Sequence, residues 1–385
     1  MTPKVKDHLQ KHKNEILDLL QRLVTIQSGS YNKAGVNLVA DLIEERMTTL
    51  GMATKRLPHQ EYGDTVVASS QASPAKKSIL LIGHMDTVFP ENTTFRAYRE
   101  DADKVYGPGV ADMKGGLVTG IWALETLASF RELNDIPLRF IFNPDEEVGS
   151  PVSEAEISEE ASRSALALVL ECGGMDGEVV TARKGRLGFD LEVMGRAGHA
   201  AFAEKEKASA VTELAHKVLG FESLNGRVSG LTVNVGAIEG GIGPNTVPEH
   251  ARAELDVRFS DTAQLDLFIA EREKLLSRAQ VENTAVRFKE TSFRRPMERT
   301  AGNQDLFRIV AQIGQDMKIP VIESFRHGCS DANIVAHLGI PVLDGLGPQG
   351  DQDHSDREFI LKDSLFERCE LLVHTIRECA RRYCR

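Results

Sequence analysis

The chain has 385 residues, of which 41% are hydrophobic and 27% charged, a composition typical of a globular protein of two or three domains. Its formal net charge of −11 argues against a nucleic-acid partner, because phosphate binding requires concentrated Lys and Arg. The longest apolar stretches are strand-sized, far short of the roughly 20 residues that a membrane span needs, so we expect no membrane partner.

The N-terminal stretch MTPKVKDHLQKHKNEILDLLQRL has an amphipathic pattern that predicts a helix. It lacks the unbroken apolar run and the small-residue cleavage site of a signal peptide. The five cysteines form no CxxC pair, and an odd number suits a reduced compartment better than a disulfide framework. We therefore expect a cytoplasmic protein with free thiols.

Up to about residue 180, short apolar runs alternate with helical patterns, which indicates an α/β domain. Three runs end in polar clusters: residues 79–82 precede GHMD, 138–142 precede NPDEE, and 165–170 precede ECGG. A further cluster, GPGVADMKGG, opens a helix. Because the ligand crevice of an open α/β sheet lies beyond the carboxyl ends of its strands, we expect the charged residues at the three strand ends to converge. Unrelated polar turns are the alternative.

Residues from about 184 to 293 follow a different order, which is typical of a smaller inserted domain of ferredoxin-like type. The predicted βαββαβ elements are strand 187–195, helix 204–219, strand 231–238, strand 251–259, helix 262–279 and strand 285–290. The α/β alternation then resumes, with helices over 305–317, from about 330 and over 361–381, and a strand at 340–343. We thus predict an α/β domain in two parts, 1–183 and 294–385, interrupted by a domain over 184–293.

His84 and Asp86 lie two residues apart at a strand end, so both side chains point to one face. Asp86 is placed to accept the second ring N–H of a metal-bound His84, although an HxD pair can also be purely structural. Asp112 lies between a Gly-Pro-Gly turn and two glycines that allow the backbone to approach a site closely. Its two oxygens could bridge two cations, or it could cap the following helix.

Asp145, Glu146 and Glu147 are consecutive acids just past an apolar strand, where their charges repel unless metal or protons intervene. One carboxylate can bind metal while its neighbour handles the proton of a metal-bound water, whereas a solvated acidic loop is the alternative. Glu171 closes another apolar strand, and His354 lies in the loop GPQGDQDHSD. Two His and three carboxylates form a nitrogen and oxygen set typical of zinc or a related divalent metal. The set comprises His84, Asp112, Glu147, Glu171 and His354.

The ordered motifs resemble those of the acetylornithine deacetylase, succinyl-diaminopimelate desuccinylase and glutamate carboxypeptidase family, most closely the glutamate carboxypeptidase branch. They are GHMDTV, YGPGVADMKGG, NPDEEVGS, the Glu171 strand end, GRAGHA, GPNTVPEHARAELDVR, CSDA and DHSD. The resemblance spans about residues 10 to 380. It implies a catalytic domain with a mixed sheet flanked by helices, and an inserted domain that serves as lid and dimer contact.

The resemblance also implies a site with two Zn²⁺ ions, for which Co²⁺ or Mn²⁺ could substitute. The implied ligands are Asp112 as the bridge, His84 and Glu171 on one ion, and Glu147 and His354 on the other. Glu146 becomes the general base, which takes a proton from the attacking water and returns one to the leaving amine. The peptide bond from Asp112 to Met113 is expected to be cis.

Outside the ligand set, the resemblance assigns roles to residues of the inserted domain. His199 in GRAGHA matches a histidine that reaches the active site of the other subunit of a homodimer, and joins Glu146 and Asp86 as a candidate catalytic residue. Arg258 and Asn245 match positions that bind the substrate carboxylate and neighbouring polar atoms, which suits the planar fork of Arg. Alternatively, His199 is a turn histidine, Arg258 forms a surface salt bridge and Asn245 belongs to a loop turn. Lys184 and Arg326 are weaker candidates for the same pocket.

The sequence departs from the family pattern in three places, and the first, after His199, leaves the pocket shape and the substrate preference open. AAFAEKEKASA follows His199 where the family has a run of small residues and then a proline and an asparagine. Cys172 stands where proline is frequent, and Gly328-Cys329-Ser330 replaces a more glycine-rich run. None of these departures touches a metal-ligand position.

The implied function is hydrolysis of an amide bond next to a carboxylate in a small peptide. An N-acyl amino acid deacylase of the acetylornithine deacetylase type remains open, because the two activities differ only in which side of the amide carries the recognised carboxylate. A non-catalytic peptide-binding relative is less favoured, since all five ligands and Glu146 are present. A nucleotide-binding enzyme is excluded because GxGxxG and GxxxxGK[ST] are both absent.

Overall fold

A computed structural model describes residues 4–72, 77–202 and 207–384. Its contacts divide the chain into two compact units. The first unit runs through Ala182 and also contains Arg299–Phe325 and the chain from Ser330 onward. The second contains Arg183–Glu298 and the short segment Arg326–Cys329. That segment lies within the part of the sequence assigned to the catalytic domain, but it packs with the second unit.

The helices and strands alternate along the chain. The helices are α1 (Lys4–Lys11), α2 (Lys13–Thr25), α3 (Lys33–Thr49), α4 (Gly115–Ser129), α5 (Glu154–Ser162), α6 (Ala210–Glu222), α7 (Thr262–Ser277), α8 (Ala301–Met317), α9 (Ala332–His337) and α10 (Lys362–Tyr383). The strands are β1 (Ala53–Leu57), β2 (Thr65–Ser69), β3 (Ser78–His84), β4 (Arg99–Glu100), β5 (Lys104–Tyr106), β6 (Leu138–Asn143), β7 (Ser164–Val169), β8 (Glu178–Arg183), β9 (Gly185–Met194), β10 (Gly198–His199), β11 (Thr232–Gly240), β12 (Thr246–Val247), β13 (His250–Phe259), β14 (Ala285–Arg294), β15 (Ile322–Arg326), β16 (Val342–Leu343), β17 (Gly350–Asp351) and β18 (Phe359–Leu361).

Four helices begin at a residue whose side chain caps the first turn. Asn32, Ser209, Asp261 and Thr300 each accept a hydrogen bond from the backbone N–H three residues further on. These are the residue types that favour an N-cap, because their short side-chain oxygens satisfy N–H groups that the helix itself leaves free. The starts of α3, α6, α7 and α8 are therefore determined locally.

The first unit is built on a six-stranded mixed sheet with the order β1-β2-β6-β3-β7-β16. β1, β2 and β6 are antiparallel neighbours, whereas β6, β3, β7 and β16 run parallel. Every residue of β3 is buried, as expected for a parallel strand covered on both faces. The carboxyl ends of β6, β3 and β7 lie side by side. The predicted α/β fold with a mixed sheet and flanking helices is confirmed.

Helix α4 is almost wholly buried and packs against α10, which also contacts α8. Gly116 brings the start of α4 close to the end of β7, since a Cβ atom at this position would lie 1.8 Å from the carbonyl oxygen of Leu170. This close approach places the segment before α4, which contains Asp112, beside the strand ends.

The second unit is a four-stranded antiparallel sheet, with the order β11-β13-β9-β14, on which α6 and α7 pack. Alternate residues of β13 are buried, so one face of the sheet forms the core with the helices. The chain order β9-α6-β11-β13-α7-β14 gives the βαββαβ arrangement of a ferredoxin-like unit, apart from the short pair β10 and β12.

The predicted elements differ from the observed ones mainly at their ends. The N-terminal helix is divided into α1 and α2 at His12, and residues 1–3 lie outside the described residues. The predicted start of α6 near residue 204 also falls outside them, and the helix is seen from Ala210. The strand expected over 285–290 continues to Arg294 beyond an irregularity in its pairing with β9.

All five cysteines are free, as predicted. Among the described residues, no helix is both long enough and apolar enough to cross a bilayer. The cytoplasmic location expected from the sequence stays a prediction.

Candidate metal centre

The polar clusters predicted at three strand ends come together in the first unit. His84 is the last residue of β3, Glu146 and Glu147 follow β6 in a short helical turn, and Glu171 lies just beyond β7. β3 pairs with both β6 and β7, so these side chains converge because their strands are direct neighbours. His354 reaches the same place from the loop between β17 and β18, as shown by its contact with Glu147.

Asp112 lies in an irregular segment, Val110–Lys114, that leads into α4. Gly109 before it has φ 73°, a left-handed conformation that glycine adopts readily. The peptide bond from Asp112 to Met113 is cis, as expected from the resemblance. The alternative role of a helix cap is not supported, because the Asp112 carboxylate contacts His84 and His354.

The two carboxylate oxygens of Asp112 face two different sets of side chains. Oδ1 lies 3.0 Å from Nε2 of His84, and this nitrogen lies 3.6 Å from Oε1 of Glu171. Oδ2 lies 3.1 Å from Nε2 of His354, which lies 3.3 Å from Oε2 of Glu147. Each Asp112 oxygen is thus grouped with one imidazole and one further carboxylate.

The pKa values in the cluster reflect strong attraction between its acids and imidazoles. Burial opposes protonation of His84, but neighbouring carboxylates, first that of Asp112, outweigh it and hold the pKa of His84 well above its usual range. Contacts with Asp112 and Glu147 raise the pKa of His354 to about 11. Burial disfavours a charged Asp112, yet hydrogen bonds to both imidazoles hold its pKa well below its usual range. Burial and the charge of Asp112 raise the pKa of Glu147 to about 7. The cluster therefore attracts positive charge.

The donor atoms of this cluster suit divalent cations. His84, Asp112 and Glu147 offer ligand atoms that all lie within 4.8 Å of one another, and so do His84, Glu146 and Glu171. Oε1 of Glu147 is buried and accepts no hydrogen bond from any residue that the structure describes. A buried oxygen without a donor is costly unless a cation occupies its free side. Imidazole nitrogens and carboxylate oxygens without thiolates fit zinc and related metals.

Asp86 lies beyond the end of β3 and anchors the acidic loop. Its carboxylate accepts hydrogen bonds from the Ser30 hydroxyl at 2.6 Å and from the backbone N–H groups of Glu146 and Glu147, both at 3.2 Å. Nδ1 of His84 lies 3.3 Å from Oδ1 of Asp86, but its nearest acceptor is the Asp86 backbone oxygen, at 3.0 Å. Two atoms of Asp86 thus compete to orient the ring, whereas the sequence pointed only to the carboxylate.

Asp145 does not take part in a solvated acidic loop, because its side chain is fully buried. Its carboxylate accepts hydrogen bonds from the Ser153 hydroxyl and from the backbone N–H of Val152. Hydrogen bonds to Asp145 therefore hold the loop of residues 145–147 against the segment that leads into α5.

Two acids near the cluster were not assigned a role from the sequence. Asp331, in the CSDA motif, is buried and accepts hydrogen bonds from the Asn143 amide at 2.7 Å and the Ser150 hydroxyl at 2.5 Å. Its place in a recognised motif was a signal that could have drawn attention to it. Asp353 forms a third group of ligand atoms with Asp112 and His354 within 4.8 Å, and adjacency to His354 was its signal.

His199 and Asn245 lie together at one end of the second unit. β10 pairs with β12, which sets His199 opposite Thr246, and the backbone N–H of Ala200 donates to the Asn245 carbonyl oxygen at 2.9 Å. His199 is exposed, and its Nδ1 accepts a hydrogen bond from the backbone N–H of Ala201 at 3.2 Å. His199 and Asn245 both precede β13 in the chain.

Arg258 lies near the other end of β13. Its Nε donates to Oδ1 of Asp256 at 2.7 Å, so the salt bridge named as an alternative is present. Lys184 is close by, since burial and the positive charge of Arg258 lower the pKa of the Lys184 ammonium. The backbone N–H of Lys184 donates to the Arg326 carbonyl oxygen at 3.1 Å. The structure thus brings the predicted cationic residues together, away from His199 and Asn245.

Comparison with known proteins supports the same chemistry. Residues 80–378 match the sequence model described as Peptidase family M20/M25/M40. Carboxypeptidase G2 of Pseudomonas sp. (strain RS-16) is 26% identical over 347 residues, which cover 89% of this chain and 83% of that protein.

Two solved structures show the fold. Aminopeptidase PepT from Bacillus cereus superposes with a TM-score of 0.82 at 22% identity and covers 96% of this chain and 99% of its own. A dinuclear metal binding peptidase of the M20 family from Bacillus subtilis gives a TM-score of 0.74 at 13% identity, with 95% of this chain and 98% of its own covered.

Proposed function

Because the chain belongs to Peptidase family M20/M25/M40, whose members are metal-dependent hydrolases of amide bonds, we propose that it is a dinuclear zinc carboxypeptidase of the glutamate carboxypeptidase type. The proposed substrate is a small peptide whose scissile amide lies next to a free carboxylate. One observation carries the dinuclear assignment: each Asp112 oxygen faces its own pair of one imidazole and one carboxylate.

In this proposal Asp112 would contact both ions, His84 and Glu171 would hold one, and Glu147 and His354 would hold the other. Zinc, or Co²⁺ or Mn²⁺ in its place, would act as a Lewis acid that polarises the scissile carbonyl and lowers the pKa of water, so that water can attack at neutral pH. Side chains of the protein would transfer the proton and bind the substrate.

Glu146 is the proposed general base. Burial, opposed by the nearby imidazole of His84, and the negative charges of Glu171 and Asp331 hold the pKa of Glu146 well above its usual range. A carboxylate with a raised pKa can hold a proton between two steps. Glu146 takes the proton of the attacking water and returns it to the amine nitrogen as the C–N bond breaks.

Arg258 is proposed to bind the free carboxylate of the substrate. Lys184 lies near it and adds positive charge, and the backbone of Arg326 adjoins that of Lys184. A guanidinium can donate two parallel hydrogen bonds to a carboxylate. The substrate carboxylate would have to compete with Asp256 for the Arg258 guanidinium. Exchange of one carboxylate partner for another leaves the charge on Arg258 balanced.

A homodimer through the inserted unit, with His199 acting on the site of the second copy, is part of the proposal. His199 and Asn245 precede β13, whereas Arg258 lies near its far end. From His250 to Arg258 the strand extends roughly 26 Å at about 3.3 Å per residue, while a dipeptide spans only about 7 Å. This separation supports the proposal that His199 and Asn245 act on a substrate held by Arg258 of a second copy.

The test is hydrolysis of a substrate panel by the zinc-loaded protein. The panel contains peptides ending in glutamate, aspartate or a neutral residue, together with N-acyl amino acids, and we expect the highest kcat/KM for a peptide with a C-terminal acidic residue. Preference for the N-acyl amino acids would favour the deacylase alternative. No turnover of any substrate by protein that holds two metal ions would contradict the hydrolase function.

Glu146→Gln is the matched control for this experiment. It keeps the shape of the side chain but cannot accept the proton, so we expect kcat to fall by about 10²- to 10⁴-fold while the metal content is unchanged. Metal content is measured by elemental analysis of the same preparations. Undiminished kcat in Glu146→Gln would show that another group is the base.

A further inference from the structure

Glu358 contacts the segment of the first unit that carries Asp112 and is fully buried. Its Oε2 accepts a hydrogen bond from the backbone N–H of Gly109 at 2.9 Å. Its Oε1 accepts two more, from the N–H groups of Ala111 at 2.8 Å and Asp112 at 3.0 Å. One carboxylate thus collects three backbone N–H groups from the segment that carries the proposed bridging ligand.

These three N–H groups need an acceptor because they lie at the start of the segment, where no preceding turn of helix supplies carbonyl oxygens, and the segment itself is irregular. Asp112 has φ −119° and ψ 92°, and Met113 is also non-helical, so the usual i to i−4 hydrogen bonds cannot form throughout Val110–Lys114. Buried backbone N–H groups are almost always paired. Glu358 supplies acceptors that the segment lacks, and so it fixes the conformation in which the Asp112 carboxylate points at the cluster.

Burial of a carboxylate at this position costs free energy, which hydrogen bonds to the charged form must offset. Burial raises the pKa of Glu358 to about 7, the three backbone N–H groups oppose this rise, and the negative charge of Asp112 adds to it. A neutral acceptor would avoid repulsion with Asp112. Only a carboxylate, however, offers two acceptor oxygens that can take three N–H groups at once.

Glu358 also joins two distant parts of the sequence. It lies four residues after His354 and directly before β18, which pairs with β5 so that Phe359 is opposite Tyr106. The segment that carries His354 is therefore attached to the segment that carries Asp112 through both a strand pair and the Glu358 carboxylate. Movement of either segment would change the separation of His354 and Asp112.

We propose that Glu358 is a positioning residue that holds the Asp112 segment in its metal-binding conformation before any metal is bound. The inference rests on the dinuclear centre of the proposed function. It concerns the preorganisation of the site, since Glu358 itself is covered by backbone and supplies no ligand atom.

The test compares Glu358→Gln with Glu213→Gln. Glu213 in the second unit is also fully buried and accepts two backbone N–H groups, from Gln280 and Val281, so it is a control outside the metal centre. Because Glu213 also pairs with Lys217, the two variants are compared by zinc affinity and not by stability. Zinc affinity is measured by competition between the metal-free full-length protein and a chromophoric chelator. We expect Glu358→Gln to weaken zinc binding by about 10- to 100-fold, because its amide N–H₂ faces an N–H donor, and Glu213→Gln to leave it unchanged.

A second measurement needs no variant and covers the case in which Glu358→Gln does not fold. In metal-free wild-type protein we expect slow hydrogen exchange of the amides of Gly109, Ala111 and Asp112, as slow as after zinc addition. Fast exchange of these amides without zinc, or equal zinc affinity of Glu358→Gln and wild type, would overturn the positioning role. Wild-type protein that binds no zinc would instead overturn the proposed function.

Discussion

Glu213 and Lys217 in the second unit form a buried ion pair, whereas the acids of the candidate metal centre in the first unit are buried beside one another. The Lys217 ammonium lies 2.9 Å from Oε1 of Glu213 and also donates to the carbonyl oxygens of Leu275 and Arg278 at the end of α7. A cation beside the last carbonyl groups of a helix is favourable. Every charge in this pair is balanced by a neighbour on α6 or α7.

The candidate metal centre has no such balance. Five carboxylates, those of Asp86, Asp112, Glu146, Glu147 and Glu171, surround the two imidazoles of His84 and His354. Both regions bury acids, but in the second unit one ammonium faces one carboxylate, whereas in the candidate metal centre the carboxylates outnumber the imidazoles. The difference indicates how two kinds of buried acid can be told apart: an acid paired with a cation of the chain needs no further partner, whereas a cluster with an excess of carboxylates is suited to bind a cation from solution.

The largest expected effect on stability comes from removing the cation of the balanced pair. Lys217→Met leaves the Glu213 carboxylate buried without its ammonium, and we expect a loss of about 3 to 5 kcal/mol in the free energy of unfolding. Urea denaturation followed by circular dichroism measures it. Lys274→Met is the control, because Lys274 is exposed and forms a surface ion pair with Glu271, and it should cost at most about 0.5 kcal/mol. Equal effects of the two variants would mean that the buried pair is no more important than a surface pair.

Removing metal is expected to have the next largest effect. Zinc that binds only the folded protein, at a free concentration about 100 times its Kd, stabilises it by about 2.7 kcal/mol. Metal-free protein should therefore unfold at a lower temperature, and zinc should restore the original midpoint, as measured by calorimetry. Lys217→Met should show the same zinc-dependent shift, because its defect lies in the other unit. An unfolding temperature that does not respond to zinc would contradict the view that the acids of the first unit need a cation.

Asp86→Asn tests how the first unit holds its ligands. We expect zinc affinity to fall by about 10- to 100-fold, because the acidic loop and the ring of His84 lose a charged acceptor. Chelator competition measures this change. The control is Asp190→Asn in the second unit, where Asp190 pairs with Arg252 at 2.9 Å, and its zinc affinity should equal that of the wild type. Unchanged affinity in Asp86→Asn would mean that the backbone oxygen of residue 86 orients His84 by itself.

Much of the fold follows from local patterns. The apolar runs before GHMD and NPDEE became β3 and β6, and the alternating order of residues 184–293 became a four-stranded sheet with two helices. Three of the proposed ligands, His84, Glu147 and Glu171, could be named because strand ends in a parallel sheet converge. Asp112 and His354 were named from their motifs. The role of Glu358 could not be named, since nothing near it in the sequence indicates which backbone N–H groups it will meet.

The sequence by itself determined the order of helices and strands, the acidic character of the strand ends and the family resemblance, because periodicity and motifs are properties of adjacent residues. Only the tertiary structure decided which residues face each other across long separations. It grouped each oxygen of Asp112 with a different histidine, placed Glu358 under the same segment, and separated His199 from Arg258 along β13. Such contacts depend on strand order and on the packing of loops, which fix distances that no local pattern records.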